Sequence, residues 1–129
     1  MKPEPEAQLD QVAHAVIGAA IEVHRLLGPG FLEQHYEAAL CAELKLRGIY
    51  FERQKSIGVD YKGQTIGESR LDLLVEHELI VELKAVDALV PIYTAQLIAY
   101  LKMTGKKLGL LMNFNVPVLK DGIRRIISA

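Results

Sequence analysis

The sequence predicts an α/β protein in which a mixed central sheet is flanked by helices, and two kinds of periodicity support this fold class. In three stretches apolar residues recur every three or four positions, which is typical of helices that bury one face. In the other stretches apolar and polar residues alternate or form short apolar runs, which is typical of strands. The elements follow in the order helix, helix, three strands, helix, strand.

Length and composition indicate one globular domain, residues 1–129, with residues 1–7 as a flexible tail that contains two prolines. Half of the residues are apolar and 24% are charged, which is ordinary for a globular chain. A single cysteine, Cys41, excludes a disulfide framework. Because the N-terminus is too polar for a signal peptide and no apolar run reaches membrane-spanning length, we expect a cytoplasmic protein without a membrane partner.

Each predicted helix is followed by a glycine, the residue that most readily ends a helix. The expected ranges are about 8–27, 32–47 and 91–104, and the glycines are Gly28, Gly48 and Gly105. Extended segments are expected at 50–54, 57–61 and 107–113, the last as a buried strand beside the strand of Glu82. The final segment, 118–127, fits either an edge strand or a short helix.

A hairpin between residues 70 and 84 is the most informative segment. Six apolar residues alternate along its two strands and should share one face: Leu71, Leu73, Val75, Leu79, Val81 and Leu83. A turn centred on His77 sets Asp72 opposite Glu82, and two facing carboxylates repel each other. A divalent cation such as Mg²⁺ would convert this repulsion into binding. Alternatively, Arg70 and Lys84 neutralise the acids on a solvated face.

Three motifs in this order resemble a known enzyme superfamily. Asp72, nine residues and then Glu82-Leu83-Lys84 resemble the D…(D/E)-x-K signature of the PD-(D/E)-x-K nucleases, although Leu71 stands where the superfamily's name has proline. The segment 30–36 is similar to the motif that names the GxxExxY protein family of that superfamily. Residues 96–100 are similar to its Q-x-x-x-Y element.

The resemblance implies a restriction-endonuclease-like αβββαβ core with an additional N-terminal helix. It also implies hydrolysis of phosphodiester bonds with Mg²⁺ (or Mn²⁺) as cofactor. The implied metal ligands are Asp72, Glu82, the carbonyl of Leu83, and Glu33. Lys84 would orient the attacking water or stabilise negative charge, and Gln96 would hydrogen-bond the site water or the backbone near Lys84.

Nucleic acid is the implied partner, DNA rather than RNA. The net charge of -1 argues against tight sequence-independent binding, although residues 102–129 are locally basic. Two alternatives stay open. One is a non-catalytic module on the same fold that binds nucleic acid or protein and forms a homodimer, and the other is a metal-free structural domain.

Overall fold

The computed structural model describes residues 4–128 and contains one five-stranded mixed sheet with helices on both faces. The strands lie in the order β1-β2-β3-β4-β5, and only β3 and β4 are parallel. This architecture confirms the predicted fold class. The elements are α1 Glu4–Leu27, α2 Glu33–Leu46, β1 Phe51–Tyr61, β2 Gln64–Val75, β3 Leu79–Lys84, α3 Pro91–Thr104, β4 Leu108–Asn113, a 3-10 turn Leu119–Gly122, and β5 Ile123–Ile127.

The helices divide the apolar core into two layers. The larger layer joins α1 and α2 to one face of the sheet, and the smaller joins α3 to the other. Strands β3 and β4 are therefore buried on both faces, as the continuous apolar run of β4 predicts. Within the described residues, no helix is both long enough and apolar enough to cross a membrane.

Several boundaries differ from the sequence-based expectations. Helix α1 begins at Glu4 rather than near Gln8, while residues 1–3 of the expected tail lie outside the described residues. The two extended segments expected at 50–54 and 57–61 are one continuous strand, β1. The last segment contains both of the structures considered for it, a single 3-10 turn followed by an edge strand.

The hairpin has the predicted register, with Val75 opposite Leu79, but one of the six apolar residues predicted to share a face lies on the other face of the sheet. Leu71 does not share a face with Leu73; it packs in the smaller layer, against α3. The cause lies at residue 72, where the ladder with β3 has already ended and the pairing with Gln54 of β1 is interrupted. Strict alternation does not continue through such an irregularity.

Candidate active site

Two carboxylates occupy the place where the β2–β3 ladder stops. The backbone N–H of Asp72 donates a hydrogen bond to Oε2 of Glu82 at 2.8 Å, and the N–H of Leu83 donates to Oδ2 of Asp72 at 2.9 Å. Each side chain thus satisfies a backbone donor on the opposite strand, so the strands stay joined while the two acids lie side by side. The predicted register brings these acids together, as expected.

Burial makes this acid pair costly when both groups are ionised. Glu82 is only 6% exposed, and its pKa is raised to about 8. Desolvation by burial is the largest cause, and the negative charge of Asp72 is the second. Desolvation also raises the pKa of Asp72. Among the described residues, neither acid makes an ion pair with Arg70 or Lys84, so the charge-paired alternative is not the arrangement found.

Lys84 lies at the end of β3, two residues beyond Glu82. Its ammonium nitrogen is 4.6 Å from the centroid of the Tyr93 ring, a cation–π contact that draws the side chain toward α3. Burial dominates the pKa of both Asp72 and Glu82, but the positive charge of Lys84 acts on both in the lowering direction. The amine is therefore close enough to influence the acid pair electrostatically without forming a salt bridge to it.

The loop before α2 fixes the position of Glu33, the first residue of that helix. The hydroxyl of Tyr36 donates to the carbonyl of Gly28 at 2.6 Å and accepts from the N–H of Phe31 at 3.1 Å. Gly30, inside this bridge, has a φ of 107°, which favours glycine. The Gly and Tyr of the 30–36 motif thus shape the loop from which Glu33 begins the helix.

Glu33 contributes charge near the acid pair, but it does not complete a cage. Its side chain is open to solvent, and partial desolvation followed by the charge of Asp72 raises its pKa. Among the described residues, no three His, Cys, Asp or Glu side chains are placed so that together they could hold a metal ion. Mg²⁺ is commonly bound by one or two carboxylates with waters and substrate phosphates. Two adjacent carboxylates, Asp72 and Glu82, with a backbone carbonyl are a donor set of this kind, and Glu33 is close enough to act on Glu82 through its charge.

The sequence analysis did not identify Glu37, a carboxylate of α2 that binds two side chains of β1 beside the acid pair. This carboxylate is 8% exposed and accepts hydrogen bonds from Arg53 at 2.7 Å and Gln54 at 2.8 Å. Gln54 has a left-handed φ of 53°, and its side chain acts by hydrogen bonding to lower the pKa of Asp72, against the larger effect of burial. The available signal was spacing, because Glu37 is one helical turn after Glu33 and shares its face.

Helix α3 closes the other side of the site. Burial, followed by the charges of Glu82 and Asp72, raises the pKa of the Tyr100 hydroxyl, while hydrogen bonding from Ser69 and Gln96 acts in the opposite direction. Gln96 is exposed, and its side chain is close enough to Tyr100 to act on the pKa of that hydroxyl by hydrogen bonding. The positions 93, 96 and 100 follow helical spacing, which could have identified Tyr93 as a site residue.

The connection after Lys84 is fixed from β4. Asn113, 2% exposed, accepts from the N–H of Val86 at 3.0 Å and donates to its carbonyl at 2.9 Å. The N–H of Phe114 also donates to the carbonyl of Lys84 at 2.9 Å. These three bonds hold the chain immediately downstream of the site lysine.

A mixed sheet between helices, with an acid pair and a lysine on adjacent strands, defines a restriction-endonuclease-like domain. The family described as the PD-(D/E)XK nuclease superfamily has a model that matches residues 10–126. The chain belongs to this superfamily, as its motifs predicted. No match was found among curated proteins. Membership indicates a nuclease-type function, with nucleic acid as the class of substrate.

Proposed function

We propose that this protein is a Mg²⁺-dependent (or Mn²⁺-dependent) nuclease that hydrolyses phosphodiester bonds, with DNA rather than RNA as its substrate. The observation that carries the proposal is a pair of backbone hydrogen bonds across the strands: the N–H of Asp72 donates to the Glu82 carboxylate, and the N–H of Leu83 donates to the Asp72 carboxylate. This arrangement holds two raised-pKa carboxylates next to Lys84. The finer assignment to the GxxExxY family rests on the loop that Tyr36 bridges.

In this proposal Asp72 and Glu82 would hold the ion, together with the carbonyl of Leu83, and Glu33 would act through a water ligand. Such an ion would supply polarisation of the scissile phosphate and a lowered pKa of the attacking water. Lys84 stabilises the negative charge that develops on the phosphate. The backbone bonds at Asp72 and Leu83 position the acids before substrate arrives.

In this proposal the ammonium of Lys84 is available to the substrate. Among the residues that the structure describes, it makes no ion pair with Asp72 or Glu82. The Tyr93 ring gives Lys84 a contact that retains its charge. Gln96 and Tyr100 lie on the α3 side of the site, where they would orient water or the phosphate backbone.

Calorimetric titration with Mg²⁺ and Mn²⁺ tests the ion site. We expect the wild type to bind and Glu82→Gln and Asp72→Asn to bind at least about tenfold more weakly, because each loses a carboxylate ligand. Glu78→Gln is the matched control, since this exposed acid lies in the adjacent turn. Equal isotherms for all four proteins would contradict an ion site at these residues.

Cleavage assays test the enzyme itself. The purified protein is incubated with linear, nicked, branched and single-stranded DNA and with RNA, with Mg²⁺ or Mn²⁺. We expect Lys84→Ala to reduce the cleavage rate about 100-fold or more, because the site loses its charge stabilisation. Lys45→Ala, an exposed lysine at the end of α2, is the control.

Two outcomes of these assays would redirect the assignment. Cleavage that survives both Lys84→Ala and Asp72→Asn would belong to a contaminant, and the proposal would fail. Nucleic acid binding without cleavage, over the whole panel and with either ion, would instead support the non-catalytic module on the same fold.

A further inference from the structure

A concave site lies at the end of β4 that is opposite the end paired with Lys84. It is a cavity of about 590 Å³ between the start of α1, the end of α3 and the β4–β5 edge. Leu108 of β4 lines it, whereas Asn113, at the other end of β4, pairs with Lys84. Five residue steps of about 3.3 Å separate these two ends, so the cavity is roughly 16 Å from the site lysine along the strand. It is separate from the proposed active site.

The charges around this cavity favour an anion. Arg125 lines it and is paired with Asp10. Lys102, Lys106 and Lys107 also line it, and among the described residues none of these lysines makes an ion pair. One further carboxylate, that of Glu6, lies in the lining. The three positive charges of the lysines exceed the one negative charge of Glu6 by two. The concave wall of the cavity concentrates the resulting positive potential.

Most of the remaining lining is apolar, which indicates that the ligand also carries an organic part. Leu101 and Leu108 are almost fully buried and form the base, while Ile127 is 69% exposed at the rim. An inorganic anion alone would leave this surface in contact with water. A cavity of several hundred cubic ångströms with a mixed lining is typical of sites for small organic ligands.

We propose that this cavity binds a phosphorylated ligand of nucleotide size. Lys102, Lys106 and Lys107 hold the phosphate, and the organic part of the ligand covers Ile127 and the apolar base. Both a free nucleotide and the phosphorylated end of a nucleic acid chain carry this chemistry. Binding there requires neither metal nor cleavage, so it can be tested whether or not the acid pair proves catalytic.

The test is a titration of the ¹⁵N-labelled protein in EDTA, followed by amide chemical shifts. The probes are inorganic phosphate, adenosine monophosphate, and one short single-stranded oligonucleotide with and without a 5′-phosphate. We expect adenosine monophosphate to shift the amides of Gly105 and Ser128, which line the cavity, and to leave Leu83 unchanged. Raising the salt concentration should weaken the binding, because the lysines are near the surface.

Variants assign the binding to the predicted groups. The double variant Lys102→Gln/Lys106→Gln should bind adenosine monophosphate at least about tenfold more weakly, since it loses two of the three phosphate-facing charges. Lys45→Gln/Lys62→Gln, with two lysines outside the cavity, should bind like the wild type. Ile127→Ala should weaken the nucleotide about threefold and leave inorganic phosphate unaffected, because only the organic part covers that side chain.

Each result has a defined consequence. Equal binding of the phosphorylated oligonucleotide and the nucleotide, without binding of the unphosphorylated strand, supports the chain end as the source of the phosphate. Binding of the nucleotide alone supports a free ligand. Shifts confined to the neighbourhood of Leu83, no shifts with any probe, or unchanged affinity in the lysine double variant would overturn the proposal.

Discussion

Glu82 is a buried carboxylate whose ionised form is disfavoured in the folded protein. Its carboxylate is desolvated and faces Asp72, and its pKa of about 8 compares with an ordinary value of 4.5. The native state without metal therefore keeps a proton that the unfolded chain releases at much lower pH. Since a carboxyl whose folded-state pKa is raised stabilises the fold only at low pH, its contribution is lost as pH rises.

We therefore predict that the metal-free protein becomes less stable between about pH 5 and pH 8. The loss of unfolding free energy should be on the order of a few kcal/mol, and Asp72 acts in the same direction because its pKa is also raised. Urea unfolding in EDTA at several pH values measures this. Glu82→Gln should flatten the profile, whereas Glu78→Gln should retain the wild-type slope. A profile that rises with pH in the wild type would contradict the prediction.

The hydroxyl of Tyr36 stabilises the loop before α2 through two hydrogen bonds. Tyr36 is fully buried, and its hydroxyl bridges Gly28 and Phe31. In Tyr36→Phe the carbonyl of Gly28 therefore loses its donor and the N–H of Phe31 loses its acceptor. We predict a loss of about 1–3 kcal/mol of unfolding free energy, measured by urea denaturation. Tyr61→Phe, at an exposed position, is the matched control and should change little. Equal stability of the two variants would show that the bridge contributes nothing.

At the scale of elements, the site depends on connections that several strands and helices supply. Strand β2 contributes Asp72, β3 contributes Glu82 and Lys84, and α2 supplies Glu33. The segment between β3 and α3 contains no regular element, yet Asn113 of β4 holds it at Val86. The position of the site lysine is thus determined partly from the neighbouring parallel strand.

Removing the Asn113 side chain should disturb this segment. We predict that Asn113→Ala destabilises the protein by about 2 kcal/mol or more, because the partly buried N–H and carbonyl of Val86 lose their partner and a buried side chain is removed. Amide shifts at 84–88 and urea denaturation measure the effect. Asn115→Ala is the control, since its amide lies 3.5 Å from the same carbonyl and its loss should cost less than about 1 kcal/mol. A reversed order of the two variants would refute this account of the connection.

At the scale of the whole molecule, burial is distributed unevenly over the sheet. Strands β3 and β4 lie between both core layers, whereas residues 64–71 of β2 pair with β1 and not with β3. The β1–β2 ribbon therefore extends beyond the sheet, with Tyr61 and Ile66 exposed toward its tip. Regions with few buried contacts open at a lower free-energy cost than the core does.

Native-state hydrogen exchange should show this division. We predict that amides of β3 and β4 exchange only through global unfolding, while hydrogen-bonded amides at 58–68 exchange at least about 100-fold faster. Exchange measured by NMR at several denaturant concentrations tests the prediction. Uniform protection along β2 from Gln64 to Val75 would contradict it, because the ribbon would then unfold together with the sheet.

Much of the architecture was predictable because periodicity reflects burial directly. The helices end where glycines were expected to stop them, and Val75 lies opposite Leu79 as the turn indicated. Resemblance of three short motifs added the superfamily, which the match over residues 10–126 confirms. These properties are local or depend on residue types at fixed spacings, so the sequence by itself determined them.

Other properties arise only when distant segments meet. The displacement of Leu71 to the α3 side follows from the interruption at Gln54, which lies on a different strand. The partners of Glu37, Lys84 and Asn113 are likewise set by elements far apart in the chain. Side-chain periodicity specifies which face is buried but carries no information about which neighbour covers it. The tertiary structure alone therefore decided how the acids, the lysine and their supports contact one another.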